Sequence, residues 1–176
     1  MTRIGPWITF TFWVVLLQIF VLSYVEVGGY VSPYLYPLIL VLAPANFNRY
    51  GLLMLSALLG LGIDLHEGSG GLHLMASSAL AYARPWMLNA VVPRAAEEQL
   101  PFAPQDLGLG KWFTLLFLSY GLHHVWLFMW ASHDGHIWSL VLLRSALNLL
   151  ASGALATAIA WFIPKSSNGL CAAACS

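Results

Sequence analysis

The chain has 176 residues, 60% of them hydrophobic and only 8% charged, with a formal net charge of zero. Soluble globular domains carry about 25% charged residues, so this composition excludes a water-facing surface around an ordinary soluble core and points to a polytopic membrane protein. The few basic residues are scattered, which excludes nucleic-acid binding, and at roughly 20 residues per span about six helices fill the length with no room for a soluble domain.

The first apolar run, residues 7–25, is preceded by Arg3, as in a signal peptide. It is followed by Ser23-Tyr24-Val25-Glu26-Val27 with no small-residue cleavage site, so it reads as an uncleaved first span. The second run, 31–45, is short and carries Pro33, Pro37 and Pro44, of which Pro37 is placed to bend a helix. The third run, 50–65, ends at Asp64 and a glycine-rich turn, Gly68-Ser69-Gly70-Gly71. Both runs are short for full spans, and a single re-entrant pair is the alternative reading. The fourth run, 72–92, is interrupted by Arg84-Pro85. A polar stretch, 93–111, then reads as a cytoplasmic loop or interfacial elbow. The fifth and sixth runs, 112–130 and 137–163, flank Ala131-Ser132-His133-Asp134-Gly135-His136, and residues 165–176 read as a disordered cytoplasmic tail. Cys171 and Cys175 lie in that tail away from other ligand types and outside any prenylation pattern.

Six spans with both termini in the cytoplasm place Arg3, Arg49, Arg94, Lys111 and Lys165 inside and no Lys or Arg outside. The positive-inside rule asks for that bias, and dropping one middle span destroys it. The outer turns then hold Glu26, Glu67 and Asp134 with His66, His73, His133 and His136. Trp7, Trp112, Trp130, Trp138 and Trp161 sit near run ends, where interfacial aromatic belts form.

Polar groups inside the runs are the candidate sites. Arg84 lies in the fourth run, Arg144 in the sixth, and Asp64 is the acidic residue near span depth. An unpaired arginine at the bilayer centre costs at least about 2.5–3.5 kcal/mol on insertion scales, so Asp64 paired with Arg84 or Arg144 is one reading. The other leaves Asp64 in headgroup water with Arg144 snorkelling. His123 and His124 lie mid-run in the fifth span. Adjacent helical residues point about 100° apart, so one is expected to face the bundle and the other lipid, as packing histidines rather than metal ligands. A zinc site on the outer-turn histidines is a weaker alternative. Small residues, including Gly60, Gly62, Ala76, Ala79 and the Ala/Ser/Gly-rich end of the sixth run, mark close-packed helix faces. The first run instead offers Trp7, Phe10, Phe12, Trp13 and Phe20, a bulky surface for lipid or a partner helix. Catalytic triads, phosphate-cradling loops and paired catalytic carboxylates are missing, so no enzyme activity and no cofactor are expected.

Several segments in order resemble MreD, the small multispan protein of the bacterial rod-shape system, in its Bacteroidota form. They are Gly29-Tyr30-Val31-Ser32-Pro33-Tyr34-Leu35-Tyr36, Gly60-Leu61-Gly62-Ile63-Asp64, Gly71-Leu72-His73, Arg84-Pro85, the proline-rich elbow before Gly110-Lys111-Trp112-Phe113, His123-His124, and a sixth span with Arg144. The resemblance covers roughly residues 5–163. It implies a non-enzymatic scaffold of the inner (cytoplasmic) membrane that binds an MreC-like single-span protein. Through that partner it would reach a RodA-type glycosyltransferase and its transpeptidase, with MreB filaments completing the assembly. It also implies a six-helix fold similar to the substrate-binding component of energy-coupling-factor vitamin transporters. A transporter component of that kind is the alternative function, but the small residues at four-residue spacing expected on its first helix are missing from Trp7–Leu17.

Overall fold

The computed structural model describes residues 4–44, 47–91, 104–131 and 138–163. All regular elements among them are helical: α1 (Ile4–Phe20), α2 (Pro37–Val41), α3 (Arg49–Glu67), α4 (Leu72–Val91), α5 (Pro104–Leu107), α6 (Leu109–Ala131) and α7 (Trp138–Trp161), with one 3-10 turn at Leu22–Tyr24. Three helical stretches are long and apolar enough to cross a membrane: Gly5–Tyr24, Leu109–Ala131 and Trp138–Trp161. Helices α3 and α4, of 19 and 20 residues, are long enough for about 30 Å at 1.5 Å per residue, but they carry more polar side chains.

The expected second helix over 31–45 does not form as one helix. After a tight turn closed by Val27 and Val31, the chain runs without regular structure to Tyr36 and makes a single short helix, Pro37–Val41. Proline is the cause. Pro33 and Pro37 lack the N–H that a continuous helix needs, and Pro37 is tolerated as the first residue of α2, where Tyr36 before it already has helical angles (φ −56°, ψ −27°). This segment is nonetheless the centre of the molecule. Leu35, Leu38, Ile39, Leu40, Leu42 and Ala43 have no exposed surface, which suits a stretch that is apolar on every side.

Around that segment, α3 packs on α4, α4 on α6 and α6 on α7, while α1 packs on α2. The α3/α4 seam follows four-residue spacing: Leu52, Ser56, Gly60 and Asp64 on α3 are buried against α4, whose buried side includes His73, Ser77, Leu80, Arg84 and Leu88. Gly60 is the closest point of approach. A Cβ there would lie 2.5 Å from the His73 carbonyl oxygen and 2.5 Å from the Leu74 Cα, and would overlap the Ser77 hydroxyl. On α7 the small side chains at Ser152, Ala156 and Ala160 are buried. Pro85 does not interrupt α4, which runs unbroken past it to Val91.

The tryptophans divide. Trp130, Trp138 and Trp161 are half exposed, as a belt requires, but Trp7 and Trp112 are core residues. Trp7 donates to the Ile39 carbonyl (3.2 Å) and Trp112 to the Thr157 hydroxyl (3.0 Å). Along α1, Ile8, Phe12, Trp13 and Phe20 project outward with more than half their surface exposed, whereas Trp7 and Phe10, expected on the same bulky face, pack against the core. Arg3, Arg94, Lys165, His133, His136, Asp134, Cys171 and Cys175 lie outside the described residues.

Candidate functional site

An unwound segment inside an apolar bundle leaves backbone groups with no helical partner, and each unmet buried group costs free energy. Here, side chains from four helices meet them. Asn148 on α7 accepts from the Ser32 N–H (2.7 Å) and donates to the Tyr30 carbonyl (2.8 Å). Ser152 accepts from the Tyr34 N–H (2.9 Å), and Gln18 on α1 accepts from the Leu35 N–H (2.7 Å). Tyr120 on α6 donates to the Leu35 carbonyl (3.3 Å).

Arg84 and Arg144 both belong to the same system, which corrects the expected pairing with Asp64. Arg84 donates through Nε to the Val41 carbonyl (3.4 Å) and through Nη2 to the Ala43 carbonyl, closing the end of α2. Arg144 donates to the Gly29 carbonyl (3.2 Å) and lies over the Tyr30 ring, 5.3 Å from its centroid. A guanidinium has five donors and no acceptor, so Arg84 can serve both carbonyls at once.

Asp64 is buried and caps the next helix. It accepts from the Ser69 hydroxyl (2.5 Å), the His73 N–H (2.9 Å) and the Leu74 N–H (2.8 Å), which meets orphan donors at the start of α4. The reading that left it in headgroup water is therefore corrected too. The turn between α3 and α4 needs glycine at Gly68 (φ +69°), which ends α3 in the left-handed region, and at Gly71 (φ +98°), next to the α4 start. In Asp64→Asn one acceptor survives, but the new amide turns its own N–H toward a backbone donor. The expected cost is about 1–2 kcal/mol, read as a lower unfolding temperature of the detergent-solubilised protein. An unchanged transition would remove Asp64 from this role.

His123 and His124 are both fully buried, so neither faces outward. Helix α6 is covered by α4 on one side and α7 on another, and two directions 100° apart both meet protein. The two Nδ1 atoms lie 3.4 Å apart. His123 Nε2 is 2.5 Å from the Tyr36 hydroxyl, which is 3.0 Å from Nδ1 of His73. His73, expected in an outer turn, is buried in the first turn of α4, with Nε2 3.2 Å from Glu67 Oε2. Glu67 also accepts from Ser23 (2.9 Å) and Tyr34 (3.2 Å). Burial works against its charge, but the bonds from His73, Ser23 and Tyr34 prevail and hold the Glu67 carboxyl below its usual range. A cavity of about 330 Å³ opens beside it, lined by Ser23, Glu26, Ser32, Tyr34, His66 and Glu67 among others. Among the described residues no three His, Cys, Asp or Glu side chains come together as a metal site.

Sequence reasoning singled out Asp64, Arg84, Arg144, His123, His124, Gly60 and Gly71. The structure joins His123 and His124 to Glu67 through His73 and Tyr36, while the arginines and Asp64 hold separate backbone groups. Tyr34, Tyr36, Gln18 and Asn148 were missed. Their signal was present: Tyr34 and Tyr36, two apart between Pro33 and Pro37, share one face of an extended chain, and Gln18 and Asn148 are amides inside otherwise apolar runs. Comparison with known proteins finds no matching family model, no matching curated protein and no matching solved structure. Geometry and sequence therefore carry the functional reading.

Proposed function

We propose that the chain is a non-enzymatic scaffold of the bacterial cytoplasmic membrane, of the MreD kind its sequence resembles. It crosses six times with both termini inside and holds an MreC-like single-span partner near RodA-type wall synthesis. One observation carries the reading: Trp7, Gln18, Arg84, Tyr120, Arg144, Asn148 and Ser152 all engage the protein's own 29–43 backbone. Interior polar side chains arranged in this way hold a shape. Six crossings are supported by the length of the 31–44 segment, since an extended half at about 3.3 Å per residue and a helical half at about 1.5 Å together approach a bilayer core of about 30 Å. The five-to-none division of basic residues supports the orientation.

The outward row of Ile8, Phe12, Trp13 and Phe20 on α1 offers a partner helix a bulky apolar face. Co-purification from membranes followed by mass spectrometry tests the proposal. The expected result is a single-span protein with a large non-cytoplasmic domain, recovered together with wall-synthesis enzymes. Recovery without such a partner would contradict it. The cavity beside Glu67 favours a second reading, a substrate-binding transporter component. Tight, stoichiometric binding of a vitamin by the purified protein would establish that reading instead.

A further inference from the structure

The exposed row on α1 does not stop where the helix stops. Ile8, Phe12 and Phe20 stand at multiples of four residues, the spacing of a ridge that packs into the groove of a neighbouring helix. Tyr24, four residues beyond Phe20 in the 3-10 turn, is 73% exposed. It also lines the cavity of about 330 Å³ beside Glu67. An apolar ridge and a polar cavity thus form one continuous surface.

The cavity is acidic. Glu26 and Glu67 supply two carboxylates, and among the described residues no Lys or Arg lines it. Glu67 is held by Ser23, Tyr34 and His73. Glu26 is exposed and pairs with none of the described residues. Arg144 is already engaged by the Gly29 carbonyl and the Tyr30 ring. Leu22 and the rings of Tyr24, Tyr34 and His66 make the other walls, with Tyr24 and His66 edge to face at 5.8 Å between centroids. A bare divalent ion is poorly served, since no three His, Cys, Asp or Glu side chains come together among the described residues. A cation on an apolar stem is well served. Its stem packs along the rings and Leu22 while its head reaches the carboxylates and keeps some water.

We propose that this cavity receives a lysine or arginine side chain of the membrane partner, from just beyond the outer end of that partner's apolar span. The inference rests on the scaffold reading and adds the chemistry of the contact. A partner helix lying along Ile8, Phe12 and Phe20 stays in lipid up to Phe20 and meets the cavity as it leaves the bilayer. Apolar ridges alone let one helix slide past another by a turn. A charge that finds its carboxylates at one depth only fixes the register. Lys and Arg collect at the cytoplasmic ends of spans, so a basic residue at the outer end is a distinctive mark in the partner's sequence.

Photo-crosslinking and charge exchange in the full chain test this. With p-benzoylphenylalanine in place of Tyr24, irradiation in the cell's own membranes is expected to join a partner peptide that holds a Lys or Arg next to the outer end of its span. Glu26→Lys is expected to lower partner recovery about tenfold, equivalent to about 1.4 kcal/mol. Reversing the charge of the joined partner residue is expected to restore it. An unchanged unfolding temperature checks that Glu26→Lys keeps the fold, and the Tyr24 crosslink decides alone if it does not. A joined peptide without a basic residue there overturns the inference. So does partner recovery unchanged by Glu26→Lys, or not restored by the reversed charge, and both leave the scaffold reading standing. Wild-type chain that brings down no single-span protein defeats the scaffold reading itself, and the inference falls with it.

Discussion

Asn148→Leu is expected to destabilise the protein by about 1–3 kcal/mol, because two part-buried hydrogen bonds are lost at once and each is worth about 0.5–1.5 kcal/mol net. The Ser32 N–H and the Tyr30 carbonyl lie in a segment with no ladder or helix to fall back on, and the Asn148 amide serves both, at 2.7 and 2.8 Å. Leucine is close in size and more apolar, so a transfer argument alone would make the change favourable. Stability therefore separates the two views. Unfolding of the purified protein in mild detergent should show a large downward shift for Asn148→Leu and a smaller one for Ser152→Ala, which removes one acceptor from the Tyr34 N–H. A loss under about 1 kcal/mol, the net worth of one ordinary hydrogen bond, would show that water or another group serves the segment.

Gly60→Val is the second large effect. Overfilling a packed seam costs about 1–3 kcal/mol where side chains can yield, and here the obstacle is the backbone of α4, 2.5 Å from where a Cβ would sit. The helices must part, and parting them disturbs Ser77, which bonds the Ser56 carbonyl (2.8 Å) across the same seam. It also moves His73, whose N–H is held by Asp64. Gly62, two residues on, has open space where a methyl group would stand, on the other side of α3, so Gly62→Ala is the control. The expected pattern is a loss of at least about 3 kcal/mol for Gly60→Val with little change for Gly62→Ala, followed by thermal unfolding. Equal behaviour of the two variants would contradict the close approach.

Much of the helix placement was legible because apolar runs and their punctuation are local signals. Asp64 and the glycine turn mark where α3 ends and α4 starts, and the Ala/Ser spacing of the sixth run marks the buried side of α7. What sequence alone hid was long-range. Prolines 33 and 37 allow a bent helix or an unwound strand equally well. The choice falls to partners more than a hundred residues away, Asn148 and Ser152, which make the unwound form tolerable in a dry interior. The misassigned arginines follow from the same gap. Seeking a carboxylate for Arg84 and Arg144 is sound when the neighbouring backbone is helical, but an unwound segment offers free carbonyls instead. For His123 and His124, helical geometry correctly separated the two directions. Nothing local showed that protein covers both of them, or that Tyr36 would stand between His123 and His73.

The most direct test of the central claim, that residues 30–36 run unwound into the middle of the molecule and are held there by side chains, is amide hydrogen exchange in lipid nanodiscs. Protection should be strong at Tyr34 and Leu35, whose amides bond to Ser152 and Gln18, although neither lies in a helix. Asn148→Leu should open Ser32 first. Exchange at Tyr34 and Leu35 as fast as in an exposed loop would contradict the account.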